Sequence, residues 1–300
     1  MLALTILGNN SALPAFGRNP TAQVLQSQSD MYLIDCGEGT QLQMSKFKMK
    51  KSKLKRIFIS HLHGDHYFGL IGLLTSLGLA NRTEDIHLYG PARLIEIINL
   101  QLEVADAHLP YQVHFHPLLE EGIISDSPTI SVEAFKVKHR IECWGFIFRE
   151  RKNKRSIIAA KATAFQIPSS FYEQLQKGMD YINPKGTIVS NDEVTVEAAP
   201  AKSYAYCADT IFDIDLAKKI QGVDLLYHET TYLHDLEERA ASRFHSTTKQ
   251  AAEVAKAGNV KKLLIGHFSS KYDTLDEFLS EATSVFANTE LALEGACFPL

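Results

Sequence analysis

Phe58-Ile59-Ser60-His61-Leu62-His63-Gly64-Asp65-His66 brings four metal-capable side chains into six residues, directly after a run that reads as a β-strand. A loop leaving a strand end can converge such groups on one point. Imidazole nitrogens and carboxylate oxygens bind Zn²⁺ at about 2.0 to 2.2 Å, and a mixed His/Asp set suits borderline divalent ions better than Ca²⁺ or iron–sulfur clusters. Gly64 would let the backbone turn tightly between the two pairs. A single histidine on an apolar strand is commonly a hydrogen-bonded core residue, but the spacing H-x-H-x-D-H after a strand points to a metal site.

One loop cannot fill the shells of two ions, so further ligands are sought at other strand ends. His139 follows the run 132–138, Asp209 follows 204–207 and His267 follows 263–266. Each alone is more commonly a cap or turn residue than a ligand. Together with the loop they complete two shells, and Asp209 suits a bridging position because a carboxylate has two oxygens. Two divalent ions roughly 3.5 to 4 Å apart lower the pKa of a shared water and clamp the attacking and leaving oxygens of an in-line displacement.

Around this centre the chain reads as layered α/β. Its 300 residues, 45% hydrophobic, can bury a sizeable core, and a single domain over 1–300 is expected. Short apolar runs at 4–7, 32–35, 57–60, 132–137 and 263–266 are bounded by Gly, Asn, Asp or Ser, as strands are. Helical patterns cover 91–107, with Pro91 at the first helical position, and 247–257, with Ser246 and Thr247 as cap candidates and Gly258 as the stop. Both halves run strands and then helix, which permits two similar half-sheets packed face to face. Residues 150–201 break the rhythm with Pro168, Pro184 and Pro200 and one short helical pattern at 170–178, and read as an inserted arm.

Cys36, Cys143, Cys207 and Cys297 lack CxxC spacing and read as free thiols that serve packing. The opening residues carry no basic leader, and no apolar run reaches the roughly 18 residues of a membrane span, so a soluble, cytoplasmic chain without a membrane partner is expected. A formal charge of -4 argues against a protein coated in cation, so any nucleic-acid contact must be local. Two clusters are candidates: Lys46, Lys48, Lys50, Lys51, Lys53, Lys55 and Arg56, just before the metal motif, and Arg149, Arg151, Lys152, Lys154 and Arg155. Both can be solvated helix ends or phosphate contacts, and nearness in sequence to the metal motif favours phosphate contact for the first.

The H-x-H-x-D-H loop resembles the signature of the metallo-β-lactamase fold hydrolases. Further motifs are similar to those of the ribonuclease Z family, which trims the 3′ end of precursor tRNA: Asp35-Cys36-Gly37-Glu38-Gly39-Thr40-Gln41, His228-Glu229-Thr230-Thr231 with threonine where alanine is usual, His245-Ser246-Thr247, and Gly266-His267-Phe268-Ser269-Ser270-Lys271-Tyr272. The resemblance runs in order from residue 1 to about 290. It implies an αββα four-layer sandwich and two divalent ions, Zn²⁺ by default with Mn²⁺ or Fe²⁺ as alternatives. It implies that His61, His63, His139 and Asp209 hold the first ion and Asp65, His66, Asp209 and His267 the second, with a metal-activated hydroxide as nucleophile. It further implies that His245, oriented by Glu229, protonates the leaving 3′ oxygen, which is sound chemistry for an imidazole, and that Asp65 accepts the proton of the attacking water. Without the resemblance, Glu229 and His245 read as helix caps.

Two departures stand out. Leu13-Pro14-Ala15-Phe16-Gly17-Arg18-Asn19 resembles the family's P-x-K-x-R-N loop at the tRNA end, with Phe16 in the lysine position, which leaves Arg18 and Asn19 as the substrate-binding candidates. In the arm, Ile167-Pro168-Ser169-Ser170-Phe171 followed by Leu175, Lys177 and Gly178 resembles the family's exosite without its Gly-Pro turn. The family's arm clasps the tRNA for the site of a second subunit, so precursor tRNA and a second copy, in a homodimer, are the implied partners. The alternatives are a two-metal phosphodiesterase or other small-ester hydrolase of the same fold, and a non-enzymatic nucleic-acid-binding or scaffold module.

Overall fold

Strand Met31–Cys36 is buried at every position, which requires both of its faces to be covered. The computed structural model, which describes residues 2–27, 29–151 and 154–300, shows what covers them. Ala3–Gly8 (β1), Ala22–Gln26 (β2), Met31–Cys36 (β3), Leu54–Phe58 (β4), Ile86–Pro91 (β5) and Val113–Leu118 (β6) form a sheet that is antiparallel from β1 to β3 and parallel from β3 to β6. The chain continues through Gly122–Asp126 (β7), Ile130–Val137 (β8) and Cys143–Glu150 (β9). Four short strands follow, Ser156–Ile157 (β10), Tyr181–Ile182 (β11), Ile188–Val189 (β12) and Thr195–Val196 (β13). It returns with Ser203–Cys207 (β14), Leu225–Glu229 (β15), Lys262–Gly266 (β16), Thr289–Leu291 (β17) and Cys297–Pro299 (β18). The second sheet has the order β17-β16-β15-β14-β9-β8-β7, while β18 closes the edge of the first beside β1.

The two sheets face each other through aromatic rings. Phe58 lies 5.5 Å from Phe146 and 5.2 Å from Phe148, and Tyr32 meets Phe148 edge-on at 6.1 Å. Outside the first sheet, Leu70, Leu73, Leu74 and Leu77 of helix Leu70–Leu79 pack on Leu33, Ile57 and Leu88. Outside the second, helix Thr248–Ala257 buries Ala251, Ala252, Val254 and Ala255 against β15 and β16. The architecture is the expected αββα sandwich.

By contacts the chain divides into two compact units, residues 1–127, 131–148 and 202–300 in one and 128–130 with 149–201 in the other. The second has its own small core of Ala162, Ile167, Leu175, Tyr181, Val189 and Val194. There, the exosite-like Ile167 and Leu175 are packing residues, Lys177 pairs with Glu173 at 2.8 Å, and Gly178 takes a left-handed φ of 93°.

Several local expectations change. Pro91 is the last residue of β5, opposite Leu118, and the helix runs Leu94–Val104, because parallel pairing carries the strand through Gly90 and Pro91. Thr247 is the cap of the later helix through a reciprocal bond pattern with Gln250, whereas the Ser246 hydroxyl turns to Thr210 O. Strand β4 stops at Phe58, two residues before Ser60. All four cysteines are free; Cys36, Cys143 and Cys207 are buried, while Cys297 is exposed and does not serve the core. Of the basic cluster, Lys46 to Lys53 precede β4 while Lys55 and Arg56 lie within it, and the metal motif leaves the strand's far end, roughly 16 Å from its start at about 3.3 Å per residue. In the second cluster Arg155 is tied to Asp192, and Lys152 lies outside the described residues.

The metal loop is held against β3 by a backbone contact. Gly69 N donates to Cys36 O at 2.9 Å, and a Cβ on Gly69 would lie 2.2 Å from Gly37 O. Gly69→Ala must separate the two backbones, and overpacking of this kind costs about 1 to 3 kcal/mol; a lowered urea midpoint with unchanged m-value is the expected result.

Candidate metal centre

The strand ends of both sheets deliver the site. His61, His63, Asp65 and His66 follow β4, His139 follows β8, Asp209 follows β14 and His267 follows β16. Gly64 opens the short helix Gly64–Tyr67 without a left-handed turn, and its missing side chain instead makes room for the Phe68 ring, 2.2 Å from where a Cβ would sit. Asp35 and His267 both adopt left-handed backbone, φ 54° and 61°, a strain held by the surrounding structure.

The seven residues converge in two groups. His61 Nε2 lies 3.0 Å from His63 Nδ1, which lies 3.1 Å from His139 Nε2. In the second group His66 Nε2 and His267 Nε2 are 3.3 Å apart, and Asp65 Oδ2 is 3.6 and 3.4 Å from them. Asp209 stands between: its Oδ2 is 3.7 Å from His61 Nε2 and 3.9 Å from His139 Nε2, while its Oδ1 is 3.4 Å from His66 Nε2 and 3.2 Å from His267 Nε2. Atoms about 2.1 Å from one tetrahedral ion lie about 3.4 Å from each other, so these spacings fit a set of metal ligands.

Hydrogen bonds behind the ring set the direction of each imidazole. His66 Nδ1 donates to Asp35 Oδ2 at 2.7 Å. Ser60 Oγ donates to Asp35 at 2.8 Å and so accepts from His61 Nδ1 at 3.0 Å. His139 Nδ1 donates to Phe244 O at 2.9 Å, and His267 Nδ1 to Thr231 Oγ1 at 2.9 Å. With the proton fixed on Nδ1, the Nε2 lone pair of each of these four points inward, the arrangement that metal-binding histidines require.

Charge makes the same demand. Burial, reinforced by neighbouring imidazoles, holds His61 well below the ordinary histidine range and His63 at about 4, and burial also lowers His139, so these rings stay neutral. Burial pushes Asp65 and Asp209 up, but the histidines around them prevail and keep both ionised. At His66 burial opposes charge, yet Asp209, Asp65 and Asp35 outweigh it and raise the imidazole well above its usual value. The pocket thus calls for positive charge. Asp209 Oδ1, fully buried, accepts no hydrogen bond of ordinary geometry, an orphan that a cation would satisfy.

Beside this cluster, His245 Nδ1 donates to Glu229 Oε1 at 3.0 Å. Glu229 ends β15 and does not open a helix; its Oε2 accepts from Thr231 N and Oγ1 at 2.9 and 2.8 Å. Burial disfavours a charge on His245, but Glu229 overrides it and lifts the imidazole to about 9.

A cleft of about 550 Å³ opens over the cluster, lined among others by Leu13, Pro14, Phe68, Arg140, Arg239 and Arg243. Neither Arg18 nor Asn19 lines it. Arg18 spends its guanidinium on Tyr272 O, Asp273 O and Asn10 Oδ1, at 2.5, 3.2 and 2.8 Å, and Asn19 binds Glu294. Sequence reasoning passed over Asp35, Ser60 and Thr231, which orient the imidazoles, although all three stand inside quoted motifs. It also passed over the three arginines, which no pattern distinguishes from surface charge.

Residues 2–182 match the family model described as Anti-Pycsar protein Apyc1. A ribonuclease Z from Bacteroides thetaiotaomicron is 39% identical over 299 residues, covering 99% of this chain and 95% of the relative. Among solved structures, the short form of human tRNase Z superposes with a TM-score of 0.72 at 25% identity, covering 99% and 100% of the two chains. The metallo-β-lactamase fold protein YhfI of Bacillus subtilis gives 0.69 at 18% identity, covering 99% and 98%, a likeness of fold alone. The His/Asp cluster is accordingly a divalent-metal site of a metal-dependent hydrolase, and among the described residues no helix is long and apolar enough to cross a membrane. With this fold, this cluster and identity near two-fifths over almost its whole length, the chain belongs to the ribonuclease Z family, and over residues 2–182 it shares the family model of Apyc1.

Proposed function

We propose that the protein is an endoribonuclease that removes the 3′ trailer from precursor tRNA in the cytoplasm, leaving a 3′-hydroxyl on the tRNA and a 5′-phosphate on the trailer. The observation that carries this is the pairing of a His/Asp cluster, with Asp209 between its two groups, and His245 held through Nδ1 by Glu229 at 3.0 Å. Family membership favours tRNA over the small-ester alternative. His61, His63 and His139 would hold one ion, Asp65, His66 and His267 a second, and Asp209 would share its two oxygens between them. Zn²⁺ is the default, with Mn²⁺ and Fe²⁺ compatible with the same donors. Bound there, such ions supply Lewis acidity for activating water and neutralising phosphate charge.

The protein's own groups manage the protons. Asp65 Oδ2 is fixed by Ala12 N at 2.7 Å and stays ionised, so it can accept the proton of the attacking water. As the new P–O bond forms and the bond from phosphorus to O3′ breaks, His245 gives its proton to the departing 3′ oxygen. Glu229 holds that imidazole in place and stabilises its charge, and Thr231 fixes Glu229 in turn. The reading includes a homodimer in which the arm serves the site of the second copy. The arm's separate core supports its use as a recognition element.

Chelation, or His66→Ala, is expected to remove cleavage of both a 3′-extended precursor tRNA and bis-p-nitrophenyl phosphate, and Zn²⁺ or Mn²⁺ should restore only the chelated wild type. Turnover of the small diester by a wild-type enzyme that leaves the precursor intact would overturn the tRNA assignment. His245→Ala and Glu229→Gln should lower kcat on the precursor, the former by roughly 10²- to 10⁴-fold, as for a lost general acid. On bis-p-nitrophenyl phosphate, whose leaving group departs without a proton, the loss should be much smaller. Equal losses on both substrates would remove His245 from the acid role.

A further inference from the structure

Arg140, Arg239 and Arg243 line the cleft, and none of them pairs with a carboxylate among the described residues. They stand together. Arg140 follows His139, and its Nη2 is 3.1 Å from His63 Nε2. Arg243 precedes His245 by two residues, and Arg239 lies one helical turn earlier. The Arg239 guanidinium is 5.8 Å from the centre of the Tyr232 ring, which meets His245 edge-on at 6.3 Å. On the side of Asp65, which Ala12 N binds at 2.7 Å, the neighbouring lining residues Leu13 and Pro14 are apolar, as is Phe68, whose ring lies against Gly64; Glu38 also lines the cleft. Arg18 does not line the cleft, and each of its three guanidinium nitrogens is bonded elsewhere, to Asn10, Asp273 and Tyr272.

We propose that Arg140, Arg239 and Arg243 grip the backbone phosphates on the tRNA-body side of the cut and so fix the direction in which the RNA strand crosses the site. The inference rests on the tRNA-processing reading above. The leaving oxygen is the 3′ oxygen of the tRNA body, and it must come within hydrogen-bond reach of His245. The nucleotide that carries it therefore lies along the wall on which His245 stands, which is the arginine wall. A planar guanidinium presents a fork of donors matched to phosphate oxygens, and a net charge of -4 leaves the chain dependent on such local cations. The trailer departs over the opposite wall, where Phe68, 63% exposed, offers a ring face to a base in place of a cation.

The test compares Arg140→Gln, Arg239→Gln and Arg243→Gln with the wild type on two precursor tRNAs, one with a single-nucleotide trailer and one with a long trailer. All three side chains are exposed, so the substitutions leave the core untouched. Each is expected to raise KM roughly five- to tenfold with a smaller change in kcat, and to flatten the slope of log KM against log salt by about 0.7 to 1. Equal factors on the two precursors support the assigned direction. Loss of the effect on the single-nucleotide trailer would put the arginines on the trailer and overturn it, and an unchanged KM and salt slope on both would overturn the phosphate contact itself. Failure of the tRNA reading is distinguishable, since it is seen without any substitution: the wild type would hydrolyse bis-p-nitrophenyl phosphate and cut neither precursor.

Discussion

Asp35 lies fully buried between the two sheets, and its oxygens accept from Ser60 N, Ser60 Oγ, His66 Nδ1 and Tyr206 Oη at 2.6 to 2.8 Å. Removing a carboxylate from water is tolerable only when donors replace the solvent so fully. The donors are also the structure's connections. Ser60 and His66 belong to the metal loop, and Tyr206 belongs to β14 of the facing sheet. One carboxylate therefore ties the strand that ends in it, the loop that carries four ligands and the sheet that carries Asp209. Its left-handed backbone is the local cost of aiming both oxygens at these partners.

From that anchor the site follows as an electrostatic consequence. Asp35, Asp65 and Asp209 concentrate negative charge in a buried space, and His66 is driven toward the protonated form to offset it. His61, His63 and His139 stay neutral, the first and third with Nε2 inward and His63 with Nδ1 inward. A divalent cation held by these residues would meet both conditions, since its charge would stand in place of the proton on His66 and satisfy Asp209 Oδ1. His245 differs because its carboxylate partner, Glu229, stands behind it on Nδ1. Its charge is thus stabilised from the side away from the reaction, and the proton it transfers can face the cleft.

What could be read from the sequence divides along the range of the interactions. The strand-borne ligands were legible because strands alternate with helices and metal donors occur at their ends, so one sheet edge must collect them. Thr247 was legible as a cap because a capping box is complete within four residues. Pro91 was misplaced because its role depends on pairing with Leu118 across the sheet, and Glu229 because a strand end and a helix start look alike when both precede polar residues. The Lys46 to Arg56 cluster adjoins the motif in sequence, but its residues 46–53 come before β4 and the motif after it, so adjacency along the chain does not fix their distance in space. Asp35 and Thr231 could be quoted as motif members, but their function is to orient side chains that arrive from distant segments, which no local pattern encodes.

The division of charge in the cleft bears on the altered N-terminal loop. Phe16 stands where the family's loop carries lysine, and Arg18 is committed to holding that loop to Tyr272 and Asp273. Asn19 adds a tie to Glu294, which Gln43 also binds at 2.6 Å, so the loop is fastened to the sandwich at both residues. A loop so fastened shapes the apolar wall through Leu13 and Pro14 and leaves phosphate attraction to the opposite side. Substrate affinity and substrate direction are then set by the same three arginines, because a strand of uniform charge settles where the cations are and only one of its ends can reach His245.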